Sequence, residues 1–202
     1  MKDLIIVGVG GFGREAYYLA KELSKWIIKG FIGNVGDDPH RYKIDCPMLG
    51  IVEEYIPHDN EVFAMGVASP RLKEKFATLL KEKGANFVTL IHPSAFVNET
   101  VELGEGCVIS GGSIGDCSKI GSFVHIAGSM IGQDVEIGDF TTTTGYANIP
   151  KGRIGKRVFV GSHAVILNDL GDDVEVVSGS VVFHKIKAGS KVMGYPAKKI
   201  DL

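Results

Sequence analysis

The chain has 202 residues, with 22 basic and 24 acidic side chains and a formal net charge of −2 at pH 7. That balance leaves no basic footprint for nucleic acid. Three cysteines without C-x-x-C spacing exclude a disulfide framework and fit a reducing, cytoplasmic setting. No apolar run reaches the length needed to cross a bilayer, so a membrane is not an expected partner.

Leu4-Ile5-Ile6-Val7 reads as a strand buried on both faces. The glycines that follow, and the lack of a small-residue cleavage site, argue against a signal-peptide core. Gly8-Val9-Gly10-Gly11-Phe12-Gly13 leads into a helical pattern over residues 14–25, with Ala16, Leu19, Ala20 and Leu23 on one stripe. Residues 26–32 supply a second strand, residues 33–57 read as loop with short elements, and residues 62–65 give a third strand. Ser69-Pro70 opens a second helix whose stripe is Leu72, Phe76, Leu79 and Leu80 and which Gly84 closes. Residues 87–90 read as a fourth strand. Alternating strands and helices predict an α/β, Rossmann-like domain over residues 1–90.

From Ile91 onward the period changes. An aliphatic residue, often followed by Gly or Ala, returns about every six residues: Leu103-Gly104, Ile114-Gly115, Ile120-Gly121, Ile126-Ala127, Ile131-Gly132, Ile137-Gly138, Ile154-Gly155 and Val160-Gly161. The steps from Ile109 to Ile114 and from Ile126 to Ile131 are one residue short. Neither a helix nor a lone strand has this period. It fits a chain that turns a corner at fixed intervals and stacks short parallel strands into a β-helix, here over residues 91–202. Three strands per coil place Ile120 and Ile137 one above the other. Ile149-Pro150-Lys151-Gly152 interrupts the beat and predicts a loop protruding from a corner. The segment from Val192 to Lys198 should cap the last coil.

Gly8, Gly10 and Gly13 satisfy G-x-G-x-x-G between a strand and a helix, a turn whose amides can cradle phosphates. The second strand ends Phe31-Ile32-Gly33-Asn34 without a carboxylate, which speaks against a dinucleotide and for a nucleotide or nucleotide-sugar. A purely structural role in strand–helix packing is the competing reading.

Together, Gly8 to Glu15, Gly30-Phe31-Ile32, Leu90-Ile91-His92-Pro93-Ser94-Ala95 and Gly194-Tyr195-Pro196-Ala197-Lys198, with the repeat between them, resemble the bacterial amino-sugar and sialic-acid acetyltransferases of the hexapeptide-repeat superfamily. The resemblance spans nearly the whole chain. It implies a left-handed parallel β-helix, a homotrimer, and a UDP-amino sugar held by the N-terminal domain. It further implies acetyl-CoA lying along the groove between prisms, no metal, and N- or O-acetylation of a sugar in surface-polysaccharide or glycan biosynthesis. On this basis Gly10, Gly11, Phe12 and Asn34 are expected to hold the acceptor, and Thr142, Ser162, His163 and Gly179 to lie along the CoA.

Such enzymes carry a histidine base and an acid in an Ile-Gly-His-Asp/Glu motif. The matching stretch here is Ile131-Gly132-Gln133-Asp134, so the acid is present and an amide stands at the base position. An amide does not accept a proton at neutral pH. The family's second histidine, associated with the thioester, falls at Thr142 in a run of threonines. His125 and His163 are the substitute bases to consider, with Asp134 orienting whichever serves. The same two histidines would give a zinc site only two ligands, short of the three that a catalytic zinc needs. The alternative to an active transferase is a trimer that binds nucleotide-sugar or acyl-CoA without transferring the acyl group.

Overall fold

The computed structural model describes residues 1–200. Four parallel strands open the fold: β1 (Asp3–Val7), β2 (Ile27–Gly33), β3 (Met48–Ile51) and β4 (Glu61–Met65), in the spatial order β3-β2-β1-β4. Side chains alternate across β1 as the pleat requires. Leu4 and Ile6 pack with Ala16, Leu19 and Ala20 of α1 (Gly11–Leu23). Ile5 and Val7 pack with Phe76, Ala77 and Leu80 of α2 (Pro70–Glu82). Both faces of the central strand are therefore covered, which is why it reads as an unbroken aliphatic run.

One expectation changes here. The fourth strand of the sheet is Met48–Ile51, one of the short elements in the stretch read as loop with short elements. Residues 87–90 do not form it: Phe87 makes only a single bridge to Phe63, and Leu90–Ile91 already belongs to the first coil. The edge strand is short and carries Gly50 at a φ of 150°, so neither length nor alternation announces it.

From Leu90 the chain winds into a three-faced prism. The first face holds Leu90–Ile91, Val108–Ile109, His125–Ile126, Thr142–Thr143, Phe159–Val160, Glu175–Val176 and Lys191–Gly194 in parallel register. The antiparallel strand Ala197–Lys199 closes it. This last hairpin supplies the expected cap. The second face runs from Phe96–Val97 through Ser129–Ile131 to Val181–Val182. The third stacks Glu102–Leu103, Lys119–Ile120, Glu136–Ile137 and Arg153–Ile154. Ile120 lies directly over Ile137. The aliphatic partner of each pair faces inward and builds one continuous core.

The first of the two short steps has a local cause. At Gly111-Gly112 the backbone takes φ values of 145° and 86°, and a Cβ on Gly112 would run into the Ser129 backbone. Glycine thus turns this corner with one residue fewer. No loop protrudes at residues 149–152: Asn148–Ile149 and Arg153–Ile154 are ordinary ladder strands joined by a tight corner. The apparent interruption is a five-residue step instead of six.

Candidate functional site

The glycine loop is built by close approach. Gly8 has a φ of 94° and its N–H donates to the Ile32 carbonyl at 2.7 Å, turning the chain at the end of β1. Gly13 sits against the Gly8 carbonyl and Gly66, so a side chain at Gly13 has no room. Nothing lies within 4 Å of a Cβ built at Gly10, and this N-cap has no side chain to satisfy the amides of the first turn of α1. The glycines therefore serve both of the readings open from the sequence: Gly13 packs, while Gly10 and Gly11 leave free donors at a helix N-terminus.

Those donors border a cleft of about 290 Å³ lined by Gly8 to Phe12, Asn34, Asp37, Gly66 to Ser69, Leu72 and Phe76. All four residues expected to hold the acceptor, Gly10, Gly11, Phe12 and Asn34, meet in it. Asp37 was not foreseen. Its Oδ2 accepts the Asn34 N–H at 2.8 Å, folding the carboxylate back over Gly33, where any Cβ would collide with it. The acid missing at the end of β2 is thus supplied from four residues farther along.

The cleft sits on the first face of the prism. Phe12 meets His125 edge-on, with ring centroids 4.2 Å apart, and the Thr142 hydroxyl donates to the Ala68 carbonyl at 2.8 Å. Between them lies Lys73, fully buried, whose Nζ donates to the carbonyls of Phe123 at 3.0 Å and Thr141 at 3.1 Å and to the Thr142 hydroxyl at 2.7 Å. Burial pulls this ammonium down to about 7. Lys73 is on the buried stripe of α2 with Phe76, Ala77 and Leu80, one position round from the stripe read off the sequence. Its i−3 and i−4 spacing from Phe76 and Ala77 was the available signal.

His125 requires a correction. A substitute base needs access to substrate, and the structure instead seals this side chain beneath Phe12, 1% exposed, with neither ring nitrogen hydrogen-bonded. Glu15 Oε2 lies 3.8 Å from its Nε2. Burial, with the Lys73 charge adding to it, holds the imidazole well below its ordinary value. A base must reach the proton it removes, and as folded His125 reaches none. Thr142 is likewise covered rather than placed along an open groove.

Gln133 and Asp134 are exposed neighbours on the corner between the second and third faces. Asp134 turns that corner with a φ of 54°. Each coil visits the three faces in order, so this edge is the one farthest from the first face and the cleft on it. Within one protomer, Gln133 and Asp134 do not meet His125 or the glycine loop.

Ser162, His163 and Gly179 do come together, on the edge between the first and second faces. The Gly179 N–H donates to the Ser162 carbonyl at 2.8 Å, and the Ser162 hydroxyl donates to Thr144 Oγ1 at 3.1 Å. His163 stacks on exposed Tyr146, with centroids 5.3 Å apart. Beside this edge runs a groove of about 660 Å³ floored by Phe159, Gly161, Val176, Ser178, Lys191 and Met193. Among the described residues, no three His, Cys, Asp or Glu side chains converge on a metal position, and no helix is long and apolar enough to cross a membrane.

No protein-family model matches the chain. In sequence it is 30% identical over 108 residues to the bifunctional protein GlmU of Streptococcus uberis and 29% identical over 119 residues to that of Streptococcus thermophilus. These matches take in 52% and 56% of the chain, which spans about a quarter of the length of these curated relatives, 24% and 26%. In three dimensions it matches the acetyltransferase domain of PglB from Neisseria gonorrhoeae with a TM-score of 0.87, 22% identity and coverage of 99% and 100% of the two chains. It matches PerB from Caulobacter crescentus, in complex with CoA and GDP-perosamine, with a TM-score of 0.89, 21% identity and coverage of 100% and 98%. WeeI from Acinetobacter baumannii matches at 0.85, with 24% identity and coverage of 99% and 100%. These likenesses show the fold: the arrangement of parallel sheets matches that of the PglB acetyltransferase domain, PerB and WeeI.

Proposed function

We propose that this chain is a cytoplasmic enzyme that transfers an acetyl group from acetyl-CoA to an amino group on a nucleotide-linked sugar, in glycan biosynthesis. One observation carries the reading. A cleft of about 290 Å³ with free helix-terminal amides is seated directly on the prism of an acetyltransferase fold, and the match to PerB, solved with CoA and GDP-perosamine, runs through both parts of the chain. The N-terminal unit, residues 1–90, is read as Rossmann-like: its order β3-β2-β1-β4 corresponds to the first half of a doubly wound sheet, enough for one nucleotide. Residues 91–202 form the acyl-transfer unit.

In the proposed reaction the amine lone pair attacks the thioester carbonyl. The C–N bond forms, the C–S bond breaks, and CoA leaves as a thiolate that takes up the proton the amine gives up. The Gly10 and Gly11 amides hold the acceptor's diphosphate. The Gln133 carbonyl accepts a hydrogen bond from the amine without taking its proton, and Asp134 stands beside it. Orientation by these groups can supply several kcal/mol of rate acceleration, while a missing general base typically costs about 10²–10⁴ in rate. A sugar amine that is partly unprotonated needs such a base less than a hydroxyl does. This favours N- over O-acetylation. Acetyl-CoA is assigned to the edge of Ser162, His163 and Gly179 and the adjoining groove.

Because the cleft and Gln133 lie on opposite sides of one prism, the site requires a second copy. The outward positions of the three faces favour this. The first is covered at Leu90, Val108, His125 and Thr142 by the chain's own N-terminal unit, and its later coils carry the groove beside Phe159 and Lys191. The third alternates Glu102, Lys119, Glu136 and Arg153, paired as Lys119–Glu102 at 3.7 Å and Arg153–Glu136 at 3.2 Å. The second carries no charge at Phe96, Ser113, Met130, Asn148, Val165 or Val181 along its ladder. Phe96 is 64% and Met130 53% exposed there. Contacts through this face are assigned to a homotrimer.

The test is transfer itself: full-length protein with acetyl-CoA and UDP- or GDP-linked 4-amino sugars, followed by thiol release and product mass. Turnover at background with every acceptor removes the transferase reading. The amide at Gln133 and the covered Thr142 favour a second reading, a trimer that binds these ligands without transferring the acyl group. Gln133→His separates the two. A gain of about 10²-fold or more identifies a site complete but for its base, and no gain with ligand binding intact identifies the binder.

A further inference from the structure

The corner that carries Gln133 and Asp134 continues in the next coil as Pro150-Lys151-Gly152. Ile131 pairs with Ile149, and the Gly132 N–H donates to the Ile149 carbonyl at 2.8 Å, so Gln133 and Lys151 hold the same place in successive coils. The approach is close: a Cβ on Gly132 would run into the Pro150 carbonyl. Gly152, with a φ of 107°, then turns the corner with one residue fewer than the coil before. Lys151 is exposed and, among the described residues, its side chain has neither an ion pair nor a hydrogen bond. The cations of the adjoining third face are matched, Lys119 with Glu102 at 3.7 Å and Arg153 with Glu136 at 3.2 Å. The next coil offers Lys151 no free acid either. Asp169 gives Oδ1 to the Arg153 N–H at 2.9 Å and Oδ2 to Lys185 at 3.8 Å. An unmatched positive charge thus stands beside Gln133.

What it meets follows from the reaction. Gln133 is assigned to the attacking amine, and in the tetrahedral adduct the nitrogen and the sulfur are two bonds apart. A side chain one coil spacing from Gln133, about 5 Å, can therefore reach the sulfur while Gln133 holds the nitrogen. The sulfur is also the atom most in need of help. With no base to take its extra proton, the adduct's nitrogen stays a good leaving group, and the adduct reverts unless the sulfur departs first. A nearby ammonium stabilises a thiolate, and a more stable thiolate leaves faster. Resting on the transferase reading above, we infer that Lys151 is a catalytic residue whose ammonium pairs with the CoA sulfur as the C–S bond breaks. The sulfur takes the bonding pair, Lys151 keeps its own protons, and the proton that the amine gives up ends on the sulfur. Lys151 thus offsets part of what the amide at Gln133 leaves out. Because both belong to one corner, whichever copy completes the site brings them in together.

The experiment compares full-length wild type, Lys151→Met and Lys151→Arg in two measurements. The first is steady-state transfer from acetyl-CoA to a nucleotide-linked 4-amino sugar. Lys151→Met should lose about 10²-fold in kcat, the range for one electrostatic donor, with both KM values held within about twofold because the charge forms only on the way to product. Lys151→Arg should recover most of that loss. The second is a pH titration of CoA bound to excess protein, followed by thiolate absorbance, which needs no turnover. The bound thiol should ionise below its ordinary value of about 8.5 in wild type and Lys151→Arg, and return to it in Lys151→Met. An unchanged kcat in Lys151→Met, whether or not its KM for acetyl-CoA rises, overturns the assignment; so does a bound thiol that titrates there as in wild type. Either result leaves the transferase reading standing. If wild type turns over no acceptor while Lys151 still acidifies the bound thiol, the transferase reading fails and the sulfur contact stands. The Lys151 side chain makes no hydrogen bond or ion pair in the fold, so loss of structure does not account for these outcomes.

Discussion

Replacing Lys73 by Met should uncover how the N-terminal unit is pinned to the prism, and the effect should depend on pH. Lys73 is fully buried and donates to three oxygens. The Thr141 carbonyl keeps a second donor, His125 N–H, and the Thr142 hydroxyl keeps its bond to Ala68. The methionine therefore leaves chiefly the Phe123 carbonyl unsatisfied. One orphaned buried acceptor with the weakening of two others costs about 2–3 kcal/mol. Burial sets the pH dependence. The ammonium titrates at about 7 in the folded protein, against 10.5 for an ordinary lysine. Between these values the unfolded chain holds a proton that the folded one has released, so stability rises with pH by up to about 1.4 kcal/mol per unit. Below about 7 the full cost of burying the charge is present. Urea unfolding of wild type and Lys73→Met, at one protein concentration, should show the variant clearly weaker at pH 9. By pH 7 the gap should shrink, by at most about 3 kcal/mol. An equal gap at both pH values would refute the argument that desolvation governs this lysine.

Other outcomes follow from the same geometry. Gly13→Ala should lose nucleotide binding by about tenfold or more and destabilise the fold by roughly 1–3 kcal/mol, since its methyl meets the Gly8 carbonyl; calorimetry and thermal melting read the two effects separately. Phe96→Glu with Met130→Glu should convert the assembly to monomers by light scattering while leaving the circular dichroism of the protomer unchanged, because both side chains are exposed on the second face. A stable trimer in that double variant would place the interface elsewhere. His125→Phe should fold normally and retain any transferase activity within about twofold, since the ring is sealed behind Phe12 with no hydrogen bonds to lose; a loss of 10²-fold or more would restore His125 as the base.

The prism was legible because a solenoid repeats its constraint: every coil must put an aliphatic residue inward and a small one at the corner, so the sequence states the rule many times. Ile120 over Ile137 needed no tertiary information. The glycine loop was legible for a similar reason, since a turn that brings α1 against β1 admits only glycine at Gly13. Asp37 and Lys73 were not. Asp37 reaches the end of β2 through a turn whose closure is a single side-chain bond, and no spacing rule specifies that. Lys73 reads as a solvated charge until the prism is laid against α2. His125 faces outward by strand alternation, and that much the sequence determined. Only the packing of Phe12 over the first face decided that outward means buried. Periodicity depends on neighbours in the chain, and burial depends on which surface a distant segment comes to cover.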